Sequence, residues 1–587
     1  MNSEIMPPED TGESPVVPSP TSGPSELFTR IPLSIVLPSA AAGTTAATIA
    51  IALCADIRVA LVIGITIALL GGVRVWKTNV WRILGMRGSL WWRNRRGSGN
   101  EPRPESFDVD IPDSGGARCG MRWDGSHLIT MVGLGDTVVR PTLLGSARIE
   151  AGAAISLADV ARCLSQFDIR LAAVDVVTLG VRTQGPHNVV RVYEKLLGPL
   201  PAAATQNVWL VLRFDPLDNV GAIDNRGNAQ EGVIRTALVA TRRVAGRIAA
   251  SGVGVSILTA DELAAAEAAV LHDNDPQQWA EDWRVLRSGG IELAGYAVRP
   301  HRLEPEMLAA VWTLPGKSVL TRLRMTPAVE SNSPGRRGAM VALSAVVRRD
   351  LVGVGHHDAE EPPAELGLRP LRGLQRQVLL DGGNLEPSAA LRGVPAAMSR
   401  FTVQAAGCGQ VIGATDDGLG VAVPLFGPAV RRVEIVGSLR LTQLMVLRAI
   451  AVGARVIVHS VRPREWECLV AAVGAPAALS LPASGSARYT ATATMIVFDG
   501  VASAGQVSEA TAVHVRSPRE SAAVLLGADV ALIESADVPG RVHIRSAGQE
   551  LTVQVVSIRE EVEYLEGAGT AAETEVGPRS EPTLRSA

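Results

Sequence analysis

The chain has 587 residues, with 56 basic and 59 acidic side chains and a formal net charge of −3. This near balance excludes a bulk electrostatic attraction to nucleic acid. The length allows two or more folded domains, and a hydrophobic content of 47% is high for a soluble protein.

The first 28 residues are acidic and rich in proline and serine, which predicts a disordered tail and no cleavable signal peptide. Residues 29–76 then contain two apolar runs, 31–55 and 59–73. A helix over residues 57–75 would be about 28 Å long, close to the thickness of the bilayer core. We therefore predict a transmembrane hairpin of two helices. The alternative is a signal anchor in which only one run spans the membrane.

Small residues recur at every fourth position of these runs, and such faces let two helices approach closely in lipid. The predicted membrane-packing residues are Gly43, Ala60, Gly64, Ala68 and Gly72. A basic and aromatic collar with its linker follows over residues 77–106. The predicted membrane-interface residues are Arg74, Trp76, Lys77, Trp81, Trp91 and Trp92. The positive-inside rule places this collar, the N-terminal tail and the main domains in the cytoplasm, and so predicts a multi-pass membrane protein embedded in the lipid bilayer.

Beyond the linker, alternating and continuous apolar runs predict strands separated by helices. Residues 107–355 and 366–563 form two predicted cytoplasmic domains of α/β or α+β class. A second disordered tail is predicted over residues 567–587, which are polar.

Three local signals stand out in the first of these domains. An Asp124-Gly125 pair predicts the turn of a β-hairpin, because glycine accepts a positive φ without strain. A long helix with arginines on its outer side is predicted over residues 229–250. Thr259 and Glu262 predict a capping box at the start of the next helix, because each side chain can reach the other residue's amide.

The second domain carries a βαβ pattern over residues 433–460. The segment leading into its first strand-to-helix turn resembles the approach to the phosphate loop of an FtsK-type ATPase, and the run ending at Asp499 resembles a Walker B strand. A working loop needs G-x-x-x-x-G-K-[ST], whereas residues 437–442 read GSLRLT and lack both the second glycine and the lysine. We therefore predict a degenerate, P-loop-like domain with no catalytic residues and no bound nucleotide.

Other residues of metal-binding type have a plainer interpretation. Asp215 and Asp218 form a DxxD pair, but they also suit the cap of a turn after a strand. His356-His357-Asp358 suits a polar loop as well as a metal site. The five cysteines are not spaced as metal ligands or as a redox pair, which predicts buried, reduced thiols. No metal and no cofactor is therefore predicted.

Several segments taken together resemble one known family. They read CGMRWDGSHLITM at residues 119–131, CLSQFDIRLAAVDVVTLG at 163–180, YEKLLGPLPAAATQNVWLVLRFDPLDN at 193–219 and GVIRTALVATRRVAGRIAASG at 232–252. With the apolar hairpin, they resemble the EccE family of mycobacterial type VII (ESX) secretion systems. The resemblance implies a non-catalytic subunit of an inner-membrane complex that assembles with the EccB, EccC and EccD families, in which EccC is the ATPase motor.

The sequence therefore leads to two hypotheses about function. The preferred one is a structural subunit that contributes to protein export across the cell membrane by assembling with the channel and motor subunits. The alternative is a membrane-anchored enzyme, built on one of the α/β domains, that acts on nucleotides or nucleotide sugars.

Overall fold

The structure is a computed structural model. It describes residues 33–53, 56–71, 74–75, 78–96, 104–135, 138–145, 149–150, 152–198, 200–227, 229–328, 340–352, 362, 364–380, 385, 389–481, 493–502, 509–517 and 527–566. The chain divides into two compact units, Met1–Arg95 and Arg96–Ala587.

The first unit contains a pair of helices, Leu33–Ala52 and Ile57–Gly71, which pack against each other. A short ladder of Arg74–Val75 with Thr78–Asn79 follows. The predicted collar is itself helical over Val80–Arg96.

No helix in the part of the chain that the structure describes combines the length and the apolar character needed to cross a membrane. The predicted transmembrane hairpin, the single-span alternative and the multi-pass membrane location are therefore wrong. The second helix has only 15 residues, which is about 22 Å of helix against a bilayer core of about 30 Å. The first has 20 residues, but alanine, threonine, serine and glycine dominate its sequence.

Three of the five predicted packing positions lie where the two helices meet. Gly43, Ala60 and Gly64 are buried. A β-carbon added at Gly64 would lie 2.8 Å from the carbonyl oxygen of Gly43 and 3.0 Å from the β-carbon of Ala47. The close approach of the two backbones therefore requires glycine at this position.

The remaining predicted positions of this unit are described only in part. Gly72, Trp76 and Lys77 lie outside the described residues, and of Ala68, Arg74 and Trp81 only the backbone is described. Trp91 and Trp92 lie on the collar helix and are exposed. The packing and interface roles assigned to all these residues remain predictions.

The second unit is built on two large sheets, and in the first of them every pairing among the described strands is antiparallel. Its strands run in the spatial order Ala280–Glu281, Leu286–Ser288, Ile291–Val298, Met340–Val352, Ser318–Ala328, Ala173–Val181, Thr205–Phe214, His127–Gly135, Arg118–Asp124 and Phe107–Asp110. Three short strands pair beside this path: Gly254–Ile257, Leu368–Pro370 and Leu391–Gly393.

The two faces of the first sheet are covered by different helices. The main core lies under Leu157–Arg162, Val220–Asp224 and Ala229–Ala249. Ala260–Val270 covers part of the opposite face through Leu263 and Ala266. Side chains of successive strand residues point to opposite faces, which is why Met131 and Val132 belong to different cores.

The second sheet is mixed. Its parallel part runs in the order Leu479–Ser480, Val456–Ser460, Met495–Asp499, Thr511–Arg516, Arg432–Val436 and Val530–Glu534. Its antiparallel part continues through Arg541–Ser546, Gln549–Gln554, Gln410–Ala414, Gly420–Val423, Thr142–Leu144 and Ile149–Glu150.

The helix Leu439–Ala451 is the centre of the second core, and its residues from Leu441 onward are all buried. It packs on the sheet on one side and against His187–Leu197 and Arg559–Glu566 on the other. A helix enclosed in this way is buried on most of its circumference, and its polar residues Thr442, Gln443 and Arg448 are buried together with the apolar ones.

Shorter elements complete the unit. The remaining strands pair as Ser165–Gln166 with Ile169–Arg170 and Ala154–Ser156 with Thr402–Gln404. The remaining α-helices are Pro305–Ala310, Gln375–Leu379 and Arg464–Val473. The 3-10 helices are Leu217–Asn219, Pro276–Gln278, Pro300–Arg302, Val311–Thr313, Ala364–Leu366 and Pro395–Arg400.

The two sheets exchange elements along the chain. Thr142–Leu144 pairs with Gly420–Val423 in the second sheet, whereas Leu391–Gly393 pairs in the first. The hydroxyl oxygen of Tyr193 also accepts a hydrogen bond from the Val411 amide at 2.9 Å. The domain boundaries at residues 355 and 366 remain a prediction. The sequence analysis did not foresee the short strands that cross between the two sheets.

Several local predictions are confirmed. The long helix covers Ala229–Ala249, and Thr259 forms the predicted capping box with Glu262. The first hairpin is also present, but its two-residue loop is Gly125-Ser126, since Asp124 still pairs with His127. Gly125 supplies the positive φ of +59° that the turn requires.

Candidate functional site

The turn at Gly437-Ser438, which the sequence analysis compared with a phosphate loop, is closed by a carboxylate of the chain itself. The Ser438 amide donates to Oε2 of Glu534 at 2.6 Å, and the Ser438 side chain caps the helix by accepting from the Leu441 amide. A β-carbon at Gly437 would also lie 2.6 Å from Oε2 of Glu534. The amide groups at a helix start attract anions, and here an internal anion already fills part of that position.

The aspartate at the Walker B position is likewise engaged by neighbouring side chains. Asp499 accepts hydrogen bonds from Ser460 Oγ at 2.7 Å, from Trp466 Nε1 at 3.0 Å and from Arg462 Nε and Nη2 at 3.0 and 2.9 Å. Burial raises the pKa of Asp499, but these hydrogen bonds and the charge of Arg462 bring it below its ordinary value. The arrangement therefore resembles a buried structural anchor more than a vacant metal ligand.

The DxxD pair is not assembled as a metal site. Asp215 accepts from the Leu217 amide at 2.9 Å, and its other oxygen lies 3.9 Å from Nε2 of His127. Asp218 is exposed in the first turn of the 3-10 helix Leu217–Asn219. Among the described residues no group of three His, Cys, Asp or Glu side chains could hold a metal ion.

The other metal-type residues give no site either. His356-His357-Asp358 lies outside the described residues. Cys119, Cys163 and Cys408 are buried free thiols, whereas Cys468 is exposed, contrary to prediction. Cys54 lies outside the described residues.

A charged cleft that the sequence analysis missed lies on the second face of the first sheet. It encloses about 690 Å³ between the sheet, the helix Ala260–Val270 and the short helix Gln375–Leu379. Its lining includes charged side chains from neighbouring strands as well as both helices. These are Arg122, Asp124, Asp175, Arg213, Glu267, Arg322, Arg348 and Arg376.

The floor of this charged cleft is organised around one buried carboxylate. Both oxygens of Asp175 accept from Arg324, Oδ1 from Nε and Oδ2 from Nη2, each at 2.6 Å. Arg213 lies between Asp175 and Asp124, 3.5 Å from the first and 2.6 Å from the second. Burial raises the pKa of Asp175, but Arg324, Arg213 and Arg322 hold it below its ordinary value.

A second buried network is centred on Asp350, whose strand Met340–Val352 lies two strands from that of Asp175. Asp350 accepts from Nε and Nη2 of Arg348, both at 2.7 Å, and from Ser318 Oγ at 2.6 Å. His272 Nε2 lies 2.7 Å from the same carboxylate. Burial raises the pKa of Asp350, whereas Arg348 and His272 lower it below its ordinary value.

A signal for this cleft was present in the sequence. Charged residues stand at alternate positions inside otherwise apolar strands, as in Arg322 and Arg324 or in Arg348 and Asp350. Because alternate strand residues share one face, such pairs indicate a charged face. Only the strand order brings the pairs from separate strands together.

Comparison with known proteins places this sequence among secretion proteins. A family profile described as "Putative type VII ESX secretion system translocon, EccE" matches residues 202–298, which include strands and helices around the charged cleft. The chain is 30% identical over 269 residues to the ESX-5 secretion system protein EccE5 of Mycobacterium marinum, covering 44% of this chain and 62% of that protein.

Two further relatives extend the match along the chain. Identity is 24% over 399 residues to the ESX-2 secretion system protein EccE2 of Mycobacterium tuberculosis, covering 66% of each chain. It is 25% over 403 residues to the ESX-1 secretion system protein EccE1 of Mycolicibacterium smegmatis, covering 67% of this chain and 76% of that protein. Over these lengths the chain is similar to proteins of the EccE family. The EccE matches thus reach from 62% to 76% of the length of these three relatives.

Proposed function

We propose that this EccE chain is a structural subunit of a type VII secretion complex and contributes to protein export by assembly rather than by catalysis. The relatives that support this proposal are all named as ESX secretion system proteins. The expected partners are the EccB, EccC and EccD subunits, with EccC as the motor.

One observation supports the absence of catalysis: the candidate catalytic groups are hydrogen-bonded to other residues of the chain. Glu534 occupies the helix start at Ser438, and Asp499 is held by Ser460, Arg462 and Trp466. A phosphate loop works because its amide groups and its lysine remain available to the nucleotide. The sequence supplies no lysine at this turn, and the fold gives one of its amides to a carboxylate.

Affinity purification tests the assembly. The tagged full chain, extracted from its own cells in mild detergent, is expected to recover EccB, EccC and EccD homologues. A scrambled-tag strain is the control for non-specific recovery. Recovery of the chain alone, as a stable monomer, would contradict the proposal.

Secretion assays test the absence of catalysis. Strains carrying Asp499→Asn or Asp215→Asn are expected to export their substrates at near wild-type levels, provided that thermal unfolding shows a folded protein. A strain lacking the chain is expected to lose export. Micromolar binding of ATP to the wild-type protein by calorimetry, together with loss of export in folded Asp499→Asn, would favour the enzyme instead.

A further inference from the structure

The charged cleft on the first sheet contains more cations than anions. Its lining carries five arginines but only three carboxylates, namely Asp124, Asp175 and Glu267. Arg324 pairs with Asp175 of the lining, and Asp350 pairs with Arg348 of the lining. Counting these two residues as well adds one charge of each sign, so the arginines still exceed the carboxylates by two. These arginines are charged at neutral pH.

Three of the five arginines have carboxylate partners. Arg122 pairs with Glu267, Arg213 with Asp124 and Asp175, and Arg348 with Asp350. These ion pairs account for every carboxylate in the lining. The remaining two arginines, Arg322 and Arg376, therefore carry the excess charge.

Backbone carbonyls, and not carboxylates, orient these two guanidinium groups. Arg322 donates to the Val378 carbonyl, and Arg376 donates to the carbonyls of Pro276 and Trp279. Within the described part of the chain, neither group lies at ion-pairing distance from a carboxylate. A carbonyl satisfies a donor without supplying a formal negative charge. The carboxylates that lie near these two residues act without a direct ion pair: Asp175 acts on Arg322, and Glu281 accepts from the Arg376 backbone amide at 3.1 Å.

The charge on Arg322 is held in an unfavourable environment. Burial and the nearby cations Arg324, Arg213 and Arg348 lower its pKa to about 9, although Asp175 acts in the opposite direction. Arg322 is half-buried, and a cation partly removed from water without a directly paired carboxylate is costly to the folded state. An anion that entered the cleft would reduce that cost. The free energy recovered in this way would add to the binding free energy of the anion.

We propose that the charged cleft is a binding site for an oxyanion, a phosphate or carboxylate group, held between Arg322 and Arg376. A guanidinium group has five N–H donors, so both arginines keep donors after their bonds to the carbonyls, and such donors suit both kinds of oxyanion. Trp123, Trp209 and Leu379 line the same cleft and offer apolar contact to the rest of the ligand. A volume of about 690 Å³ suits a small molecule. This proposal does not depend on the role in secretion.

Calorimetry with the full-length protein tests the site. Inorganic phosphate is titrated in one arm and citrate in the other, at constant ionic strength in chloride buffer. We expect saturable binding of at least one of them, with a dissociation constant at or below about 1 mM. Phosphate alone would indicate a phosphate ester as the ligand, citrate alone a carboxylate, and both a general oxyanion site.

Charge-removing variants locate the binding. Arg322→Gln and Arg376→Gln are each expected to weaken it at least about tenfold. Arg235→Gln is the matched control, because Arg235 is an exposed arginine that pairs with Glu231 on the helix Ala229–Ala249, and it should leave the affinity unchanged. Thermal unfolding shows whether each variant is folded. If Arg322→Gln does not fold, the affinity of Arg376→Gln tests the proposal. Absence of saturable binding, or equal affinity in the folded cleft variants, would overturn the proposal.

Discussion

Arg448 and Glu561 form a bidentate ion pair across 113 residues of chain and tie the central helix of the second sheet to the helix Arg559–Glu566. The two hydrogen bonds measure 2.8 and 2.9 Å, and both side chains are inaccessible to solvent at 0% and 1% exposure. Arg448 also donates to the carbonyls of Val411 and Ile412 at 3.0 and 2.9 Å. One side chain thus joins three segments of the second core.

Breaking this pair should be strongly destabilising. Glu561→Gln leaves the Arg448 charge buried without a counter-ion, so we expect the free energy of unfolding in urea to fall by about 3–5 kcal/mol. Glu560→Gln is the control, because Glu560 pairs with Lys195 in solvent and should cost little. The double variant Arg448→Met, Glu561→Leu should recover most of the loss. Equal stability of Glu561→Gln and wild type would refute the assignment.

Acid should destabilise the protein through Asp175 and Asp350. Both have a folded-state pKa below the unfolded value of about 3.9, so the stability they confer is complete above that value and is lost as the pH falls through the folded pKa. Asp175→Asn should therefore lower stability at pH 7 and flatten the decline below about pH 4. Urea unfolding across pH measures both effects. Asp218→Asn, at an exposed position, should reproduce the wild-type curve.

Alanine substitutions at two glycines with positive φ should distinguish the cost of backbone strain from the cost of a steric clash. Gly409 has φ of +78° and Gly418 has φ of +81°. A β-carbon at Gly418 meets nothing within 4 Å, whereas one at Gly409 would overlap Pro424 and Val423. Gly418→Ala should cost about 1–2 kcal/mol from strain alone, and Gly409→Ala should cost clearly more. Similar unfolding midpoints in urea for the two variants would contradict the close approach at Gly409.

The capping box at the start of Ala260–Val270 should stabilise one wall of the charged cleft. Thr259 accepts from the Glu262 amide at 3.3 Å, and the Glu262 carboxylate accepts from the Thr259 amide at 2.8 Å. Thr259→Ala removes the first bond and should lower the unfolding free energy by about 1 kcal/mol. Thr259→Ser keeps the hydroxyl and should cost less. The cap contributes nothing if the two variants unfold at the same urea concentration.

Native-state alkylation should distinguish the four described cysteines. Burial raises the pKa of Cys119 to about 12, helped by Asp108, and burial raises the pKa of Cys163 and of Cys408 to about 11. The thiolate is the reactive form, so iodoacetamide should label exposed Cys468 first, as read by peptide mass spectrometry. Urea should make all four react at similar rates, and early labelling of Cys408 in the native protein would contradict the fold.

Local structure was largely determined by the sequence. The helix Ala229–Ala249, the capping box of Thr259 with Glu262 and the first hairpin are set by residues within a few positions of each other. The missing lysine after Gly437 was equally visible. Such features depend on short-range hydrogen bonds and on the period of apolar residues, and both can be read along the chain.

The apolar composition of the first segment, by contrast, led to a wrong prediction of membrane-spanning helices. Two uncharged runs suggested membrane spans, but the second helix ends at Gly71 and the first owes its apolar character to alanine. Where a helix ends depends on the caps and contacts of its last turn, which hydropathy does not record.

The long-range relationships were decided only by the tertiary structure. Glu534 reaches Ser438 across 96 residues, Asp175 meets Arg324 across 149, and Arg448 meets Glu561 across 113. Each pairing depends on which strands and helices become neighbours, and the sequence carries no local signal for that order. The charge of each side chain thus follows from the sequence, but the fold decides its partners: Asp499 is paired with Arg462, whereas Arg322 donates to a backbone carbonyl and forms no direct ion pair among the described residues.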